Sequence, residues 1–241
     1  MNNIKKNMVD IELNGIDTFF NIYETHDIIC NQIKEGEPWE PWLFDVYNKY
    51  ITKESVVIEA GCHIGTHTMV ISDLCKTLYC FEPLPSSRKL LESNIALNKR
   101  FNVAVSPYAL GEANYKSEIG WSGIENKGAT GILKNNAYGI PTWAEKMPER
   151  IEVDVTYIDN LRIERLDFIK ADVEGFEINL INGGLETIKK HKPVILIEWW
   201  ADGTTPYMVP VVEKDFKMLL DIGYRVENVK DADYLFTFTD S

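Results

Sequence analysis

The chain has 241 residues, and its 25 basic and 37 acidic side chains give a formal net charge of −12. This charge argues against broad binding to a nucleic acid, because no basic stripe is available to displace counterions from phosphates. Apolar residues make up 45% of the sequence, a proportion typical of globular proteins. No run of about 18 apolar residues predicts a membrane span, and no secretory leader is evident. We therefore expect a cytoplasmic protein.

The four cysteines predict free structural thiols in a reducing compartment. None of them forms a Cys-x-x-Cys pair, and three lie in or next to apolar segments. Their spacing fits no common zinc site. The cysteines are Cys30, Cys62, Cys75 and Cys80.

Residues 1–50 are interpreted as an accessory segment. Two β-rich runs flank Asn14 and Gly15, a dipeptide typical of tight hairpins. A short helix is predicted over 27–34 and an amphipathic helix over 42–50, with two prolines in the segment between them. The remaining residues, 51–241, are expected to form the main domain.

The main domain alternates between apolar strands and helices. This alternation predicts a doubly wound α/β fold with a mostly parallel sheet. Near the end, two strands at 224–229 and 234–238 are separated by a short polar turn, which predicts an antiparallel pair at the sheet edge. The predicted strands are 56–60, 78–81, 102–105, 166–171 and 194–199, and the predicted helices are 66–74, 85–99, 176–190 and 211–220.

Residues 111–150 look irregular, with many glycines and asparagines. Long irregular segments in a compact domain are more often functional than idle. We expect an insertion over 111–155, or an excursion of the sheet, that forms part of the substrate wall.

The turn at 59–65 lies between a predicted strand and a predicted helix and contains two glycines. Ligands of open α/β sheets bind at the carboxyl ends of the strands, where glycines permit close approach and the helix offers free N–H groups. Glu82 follows the next strand and can accept hydrogen bonds from a ribose diol. The two features together predict a ligand that contains a nucleoside.

Glu59 indicates which nucleoside this is. A carboxylate on the first strand would repel a pyrophosphate, but it would attract an ammonium and a sulfonium group. The local charge therefore favours S-adenosylmethionine over NAD.

Three carboxylates lie within six residues after the fourth strand: Asp172, Glu174 and Glu177. Helix capping and the helix dipole can account for Glu174 and Glu177. Asp172 is harder to explain in that way, so it is a candidate for chemistry.

Glu198 ends a later strand and is followed by Trp199 and Trp200. Such a group can bind a substrate hydroxyl or a sugar ring, and it can equally be a buried acid beside a core tryptophan. His63 and His67 are spaced to share a metal on one helix, but no third ligand is evident, so no metal site is assigned.

Five blocks of the sequence, in order and spacing, resemble the FkbM-family methyltransferases. The resemblance covers roughly residues 27–200 and implies a class I methyltransferase fold, which is Rossmann-like with a seven-stranded sheet. It also implies S-adenosylmethionine as cofactor and O-methylation of a hydroxylated small molecule such as a sugar, a glycolipid or a polyketide. The blocks are 57–65, 81–83, 109–111, 168–175, and the pair 183–184 with 197–198.

Site residues carried over by position fall into two groups. One group is expected at the methyl group or the acceptor: Asp172, Glu174, His63 and Glu198. The chain departs from the family pattern at Glu59, where aspartate is usual, and at His63, where a small residue is usual. The expected cofactor contacts are Glu59, Gly61, His63, Gly65, Thr66, Glu82, Pro83, Ala109 and Asp172.

An alcohol is a poor nucleophile, so a base must take its proton during methyl transfer. Asp172 is the first choice, with His63 and Glu198 behind it. A variant places Mg²⁺ between Asp172 and Glu198. Two other classes stay open at this point: an NAD(P)-dependent oxidoreductase and a non-catalytic nucleoside-binding module.

Overall fold

The N-terminal segment begins with an antiparallel hairpin, β1 (Met8–Leu13) and β2 (Ile16–Asn21). Asn14 and Gly15 both have positive φ, 51° and 79°, as a two-residue hairpin of this kind requires. The computed structural model describes residues 8–23, 27–121, 130–132, 149–200 and 209–239. The predicted hairpin is therefore present.

Two helices follow the hairpin, α1 (Ile28–Lys34) and α2 (Leu43–Tyr50). The Asp27 carboxylate caps α1 by accepting a hydrogen bond from the backbone N–H of Cys30 at 3.0 Å. The apolar face of α2 packs against the main domain, which explains its amphipathic sequence. Both helices were predicted from the sequence to within one residue.

The main domain contains eleven described strands and six described helices. In chain order they are β3 (Val56–Ala60), α3 (Thr66–Leu74), β4 (Thr77–Phe81), α4 (Pro85–Leu97), β5 (Val103–Ser106), β6 (Ala109–Leu110), β7 (Tyr115–Trp121), β8 (Thr130–Ile132), β9 (Glu149–Thr156), β10 (Phe168–Ala171), α5 (Glu177–Asn182), α6 (Leu185–His191), β11 (Val194–Glu198), α7 (Val209–Asp215), α8 (Lys217–Leu220), β12 (Tyr224–Lys230) and β13 (Asp233–Phe238).

Seven of these strands form the central sheet in the order β12-β13-β11-β10-β3-β4-β5. The last five strands of this order run parallel, and β13 is antiparallel to both of its neighbours. All four residues of β10 are buried, as expected for a parallel strand covered by helices on both faces. The doubly wound, mostly parallel, seven-stranded sheet predicted from the sequence is confirmed.

Residues 115–121 and 130–132 are not irregular, as the sequence suggested, but form strands. They belong to a second sheet with the order β6-β9-β7-β8. Ile119, Ile132, Val153 and Val155 are buried in its core and pack with Phe176 of the main domain. Residues 122–129 and 133–148, the rest of the predicted insertion, lie outside the described residues.

Two long helices predicted from the sequence are each divided in two. The first is broken between α5 and α6 at Gly183, where a Cβ atom would lie 1.9 Å from the carbonyl oxygen of Gly111. The second is broken between α7 and α8 at Phe216, whose ring packs edge-on against Trp199 at a centroid distance of 5.2 Å. Long-range packing therefore decides both breaks.

All four cysteines are free and buried, as predicted. No helix within the described ranges is both long and apolar enough to cross a membrane.

Candidate functional site

A cleft opens at the carboxyl ends of β3, β4, β10 and β11. Helix α1 contributes Ile28 and Ile29 to its wall, and the second sheet contributes Ile119 and Ile132. The floor consists of the turns that follow the parallel strands. This is the edge of an open α/β sheet at which ligands bind.

The glycine turn after β3 is shaped by contact with the turn after β10. Gly61 has a φ of +79°, and a Cβ atom there would lie 1.7 Å from the backbone oxygen of Asp172. Gly65 has a φ of +96° and packs against Leu91, and Thr66 is buried in the first turn of α3. Gly61 therefore lines the cleft, whereas Gly65 and Thr66 support the turn from below.

Glu82 lies where a nucleoside ligand could contact it. Its Oε2 accepts a hydrogen bond from the backbone N–H of His63 at 2.8 Å, and its Oε1 accepts one from Leu84 at 2.9 Å. Each carboxylate oxygen keeps a second lone pair for a hydroxyl donor. Burial raises the pKa of Glu82 to about 7. The neighbouring wall includes Pro83 and Ala109, both predicted as cofactor contacts.

Glu59 is placed beneath the glycine turn rather than in the cleft wall. Its Oε2 accepts hydrogen bonds from Thr68 Oγ1 at 2.7 Å and from Cys80 Sγ at 3.6 Å. Burial raises its pKa to about 7, although the charge of Lys170 opposes that rise. The Glu59 side chain points to the face of β3 that α3 covers, since Thr68 belongs to α3. Glu59 therefore supports the turn, and its predicted contact with the cofactor stays a prediction.

Lys170 and Asp172 form a buried ion pair at the end of β10. The Nζ atom lies 3.1 Å from Oδ2 of Asp172, and the lysine side chain is 4% exposed. Burial acts to lower the pKa of Lys170, but Asp172 and the other surrounding groups raise it well above its usual value. Burial acts to raise the pKa of Asp172, but Lys170 and a hydrogen bond from Glu198 lower it. Both groups are therefore charged at neutral pH.

The pKa values of Glu198 and Glu174 are both raised beside this ion pair. Burial and the negative charges of Asp172 and Glu174 raise the pKa of Glu198 to about 11. Burial and the charge of Asp172 likewise raise the pKa of Glu174 well above its usual value. The protonated Glu198 donates a hydrogen bond to the ionised Asp172. Sequence reasoning selected these three carboxyl groups, and the structure brings all of them to the cleft.

His63 of the glycine turn and His67 of α3 have different partners. The Nε2 atom of His63 lies 3.5 Å from Oδ2 of Asp27, and the ring contacts Tyr23 at a centroid distance of 5.7 Å. The Nε2 atom of His67 lies 3.0 Å from Oε2 of Glu40. The two rings therefore do not converge on a shared metal. His63 lines the cleft on the side of Glu82.

Trp199 is a core residue, which settles one of the alternatives left by the sequence. Its ring is 1% exposed, packs against Phe216, and donates a hydrogen bond from Nε1 to Asp215 at 3.1 Å. It therefore offers no face to a sugar. Trp39 lines the cleft instead.

Two groups of the candidate site were not identified from the sequence: Glu40, which lines the cleft, and Lys170, which pairs with Asp172. A lysine within the apolar run of β10 is a signal that could have been used, because lone charges are rarely buried without a partner. Glu40 has no comparable signal, since its contact with His67 joins residues 27 positions apart. Only the fold brings the side chains of Glu40 and His67 together.

The chain was compared with known protein families and with solved structures. The model of the family described as Methyltransferase FkbM domain matches residues 59–226, which is more than half of the chain. No curated protein matches the chain.

Several solved structures are similar to the chain at low sequence identity. A methyltransferase FkbM from Methylobacillus flagellatus is 16% identical with a TM-score of 0.51, covering 87% of this chain and 52% of its own. The chain thus spans about half the length of that protein. A ribosomal protein L11 methylase from Lactobacillus delbrueckii subsp. bulgaricus is 10% identical with a TM-score of 0.48, covering 83% and 78%. An rRNA methylase from Streptococcus thermophilus is 12% identical with a TM-score of 0.44, covering 81% and 94%.

Proposed function

The chain belongs to the FkbM family of methyltransferases, and we propose that it transfers the methyl group of S-adenosylmethionine to a hydroxyl oxygen of a small molecule. A sugar or a glycolipid is the favoured class of acceptor. The observation that carries this proposal is the position of Asp172, which lines the cleft beside Gly61 and pairs with Lys170 at 3.1 Å. A carboxylate paired with a lysine in this way can accept the proton of an attacking hydroxyl.

The residues of the cleft suit the proposed cofactor. S-adenosylmethionine supplies a methyl group activated by its bond to a sulfonium. Glu82 is oriented by two backbone N–H groups and can hold the ribose hydroxyls, and Gly61 permits a ligand to approach the backbone of the turn. Asp172, at the end of β10, lines the same cleft. The cofactor would therefore lie with its nucleoside near β4 and its methyl group near β10.

Asp172 is the proposed general base. The acceptor hydroxyl loses its proton to a carboxylate oxygen of Asp172 as the oxygen attacks the methyl carbon. Lys170 holds the base in its charged form and in a fixed position through the 3.1 Å contact. Glu198 keeps its proton at neutral pH, so it can donate a hydrogen bond that orients the acceptor for collinear attack. Glu174 lines the same space.

The preference for a carbohydrate rests on the mixture of groups in the cleft. Trp39 offers an aromatic ring, and Asp172, Glu174 and Glu198 offer hydrogen-bonding groups around the same space. Sugars present hydroxyls at their edges and C–H groups on their faces, so a site of this composition matches both. His63 is a weaker base candidate, because it lies on the Glu82 side of the cleft.

A divalent cation between Asp172 and Glu198 is disfavoured by the groups already there. Mg²⁺ prefers charged oxygen ligands, but Glu198 holds a proton at neutral pH and the Lys170 ammonium already neutralises Asp172. A cation would have to displace the proton and compete with the ammonium. We expect methyl transfer to be unchanged by EDTA; inactivation by EDTA and recovery with Mg²⁺ would show that the cation is needed.

Ligand binding and labelled methyl transfer together test the proposal. S-adenosylhomocysteine at 100 times its dissociation constant adds about 2.7 kcal/mol of stability, so the melting temperature should rise by roughly 5–10 °C. NAD⁺ should produce no rise; stabilisation by NAD⁺ alone would favour an oxidoreductase. Methyl-labelled cofactor is then supplied with a panel of methyl glycosides, and label in an ether product is expected. Binding without any transfer would leave a nucleoside-binding module.

A further inference from the structure

Glu40 reaches the cleft from a part of the chain that the family match does not include. It lies between α1 and α2, outside residues 59–226, yet it lines the same cleft as Asp172 and Glu198. Its backbone has a φ of +46°, and 12% of its side chain is exposed. The segment interpreted from the sequence as accessory therefore contributes a carboxyl group to the candidate site.

A chain of hydrogen bonds fixes the Glu40 carboxyl group. Burial holds the pKa of His67 well below its usual value, so its ring is neutral. Burial raises the pKa of Tyr47, so its hydroxyl keeps the proton and donates it to Nδ1 of His67, 3.2 Å away. The ring proton must then be on Nε2, which donates to Oε2 of Glu40 at 3.0 Å. One oxygen of Glu40 is thus held by a buried donor.

The surroundings of Glu40 place it at the acceptor end of the cleft. Besides burial, the charges of Lys170, Asp172 and Asp231 shift the pKa of Glu40. The charge of Glu40 in turn raises the pKa of Glu198. These groups belong to β10, β11 and the β12–β13 hairpin. Glu82 follows β4, which lies on the other side of β3. Glu40 is therefore separated from the proposed ribose site by the width of the glycine turn.

The segment that carries Glu40 is fastened to the same side of the sheet. Nε1 of Trp42 donates a hydrogen bond to Oδ2 of Asp233 at 2.8 Å. The Nζ atom of Lys230 lies 3.7 Å from the centroid of the Trp42 ring. These contacts hold the backbone next to Glu40 against the β12–β13 hairpin, so its position is fixed before an acceptor binds.

We propose that Glu40 binds a second hydroxyl of the acceptor, next to the one that is methylated, and that His67 is the positioning residue that holds the Glu40 carboxyl group. This inference rests on the proposed function and narrows it. The charges of Asp172 and Glu40 both raise the pKa of Lys170, although the two residues come from different segments of the chain. Asp172 can therefore take the proton of the reacting hydroxyl while Glu40 binds the neighbouring hydroxyl. The acceptor is then a compound with two adjacent hydroxyls, as in most sugars.

An acceptor that lacks the second hydroxyl should be rejected. A buried acceptor left without its partner costs about 1–3 kcal/mol, which corresponds to a factor of roughly 5 to 150 in kcat/KM. The test supplies a methyl glycoside that the enzyme methylates and its deoxy analogue, which lacks the hydroxyl adjacent to the methylated one. The wild-type enzyme should prefer the glycoside by that factor.

Variants then assign the preference to Glu40. Glu40→Ala removes the acceptor, so it should raise KM for the glycoside at least 5-fold, change kcat by less than 3-fold, and lose the preference over the deoxy analogue. Glu37→Ala, at an exposed neighbour, is the matched control and should behave as wild type. His67→Leu removes the donor and should raise KM in the same way. His67→Gln retains an N–H donor and should recover part of the loss.

Binding of S-adenosylhomocysteine separates this inference from the proposed function. The affinity of every variant for S-adenosylhomocysteine should stay within 3-fold of wild type. Such binding would also show that the variants fold. A 10-fold loss of that affinity in Glu40→Ala alone would move Glu40 to the cofactor and overturn the inference. Equal KM values for Glu40→Ala and Glu37→Ala would overturn it while the proposed function stands. If the enzyme methylated no glycoside, both the inference about Glu40 and the proposed function would fail.

Discussion

The Nζ atom of Lys170 lies 3.1 Å from Oδ2 of Asp172, two residues further along the chain. Lys170 lies beneath the cleft, and the charges of Asp172, Glu40 and Glu59 all raise its pKa. This ion pair explains why the pKa of Asp172 is lowered while burial raises the pKa of the carboxyl groups around it. It also explains why a lysine is found in the middle of an otherwise apolar strand.

Replacing the lysine should move the pH dependence of catalysis. In Lys170→Met the carboxyl group of Asp172 loses the charge that lowers its pKa, so that pKa should rise by about 1–3 units. The base must be ionised to act, so the acid limb of kcat/KM should shift to higher pH by the same amount. The exposed Lys34→Met serves as control. An unshifted acid limb in Lys170→Met would show that Lys170 does not set the ionisation of the base.

Gly61 should be the least replaceable glycine of the turn. Gly61→Ala places a Cβ atom at 1.7 Å from the backbone oxygen of Asp172, at a φ of +79°. Gly36 has a nearly equal φ of +81° with nothing within 4 Å of the added atom. Gly36→Ala therefore has only the cost of the left-handed backbone, about 1–2 kcal/mol. Urea unfolding should show a larger loss for Gly61→Ala; equal losses would contradict the close approach of the two turns.

The buried Glu59 should make stability depend on pH. Burial raises its pKa to about 7 in the folded protein, above the value of about 4.3 in an unfolded chain. Its contribution is thus fully present below pH of about 4.3 and is lost as the pH rises through about 7. Glu59→Gln cannot ionise and still accepts a hydrogen bond from Thr68.

The comparison is made by urea unfolding at pH 5 and pH 8. Relative to wild type, Glu59→Gln should gain about 1 kcal/mol or more in free energy of unfolding between pH 5 and pH 8, since one pKa unit corresponds to about 1.4 kcal/mol. The exposed Glu54→Gln, whose side chain is 72% exposed, should show no such gain. Parallel pH profiles for wild type and Glu59→Gln would mean that Glu59 ionises freely in the folded protein.

The sequence predicted those features that depend on local pattern. Strands β3 and β10 are short apolar runs because both of their faces are covered, and the glycine turn and Glu82 stand at the ends of such runs. Strands β7 and β8 escaped detection because polar and glycine residues alternate with the few buried ones, such as Ile119 and Ile132. Their pairing is a long-range property of the chain.

The candidate site was predicted in the same uneven way. Asp172, Glu174 and Glu198 were found because each follows a strand, and the carboxyl ends of parallel strands meet at one edge. Glu40 could not be found, since its contact with His67 depends on how the N-terminal segment packs on α3.

The most direct test of the account measures turnover and cofactor affinity on one variant. Asp172→Asn removes the base but keeps the size of the side chain, so kcat for methyl transfer should fall by about 10²–10⁴-fold. Its affinity for S-adenosylhomocysteine should stay within a few fold of wild type, and the exposed Asp17→Asn should match wild type in both measurements. A kcat within a few fold of wild type for Asp172→Asn would contradict the assignment of Asp172 as the base on which the proposed mechanism depends.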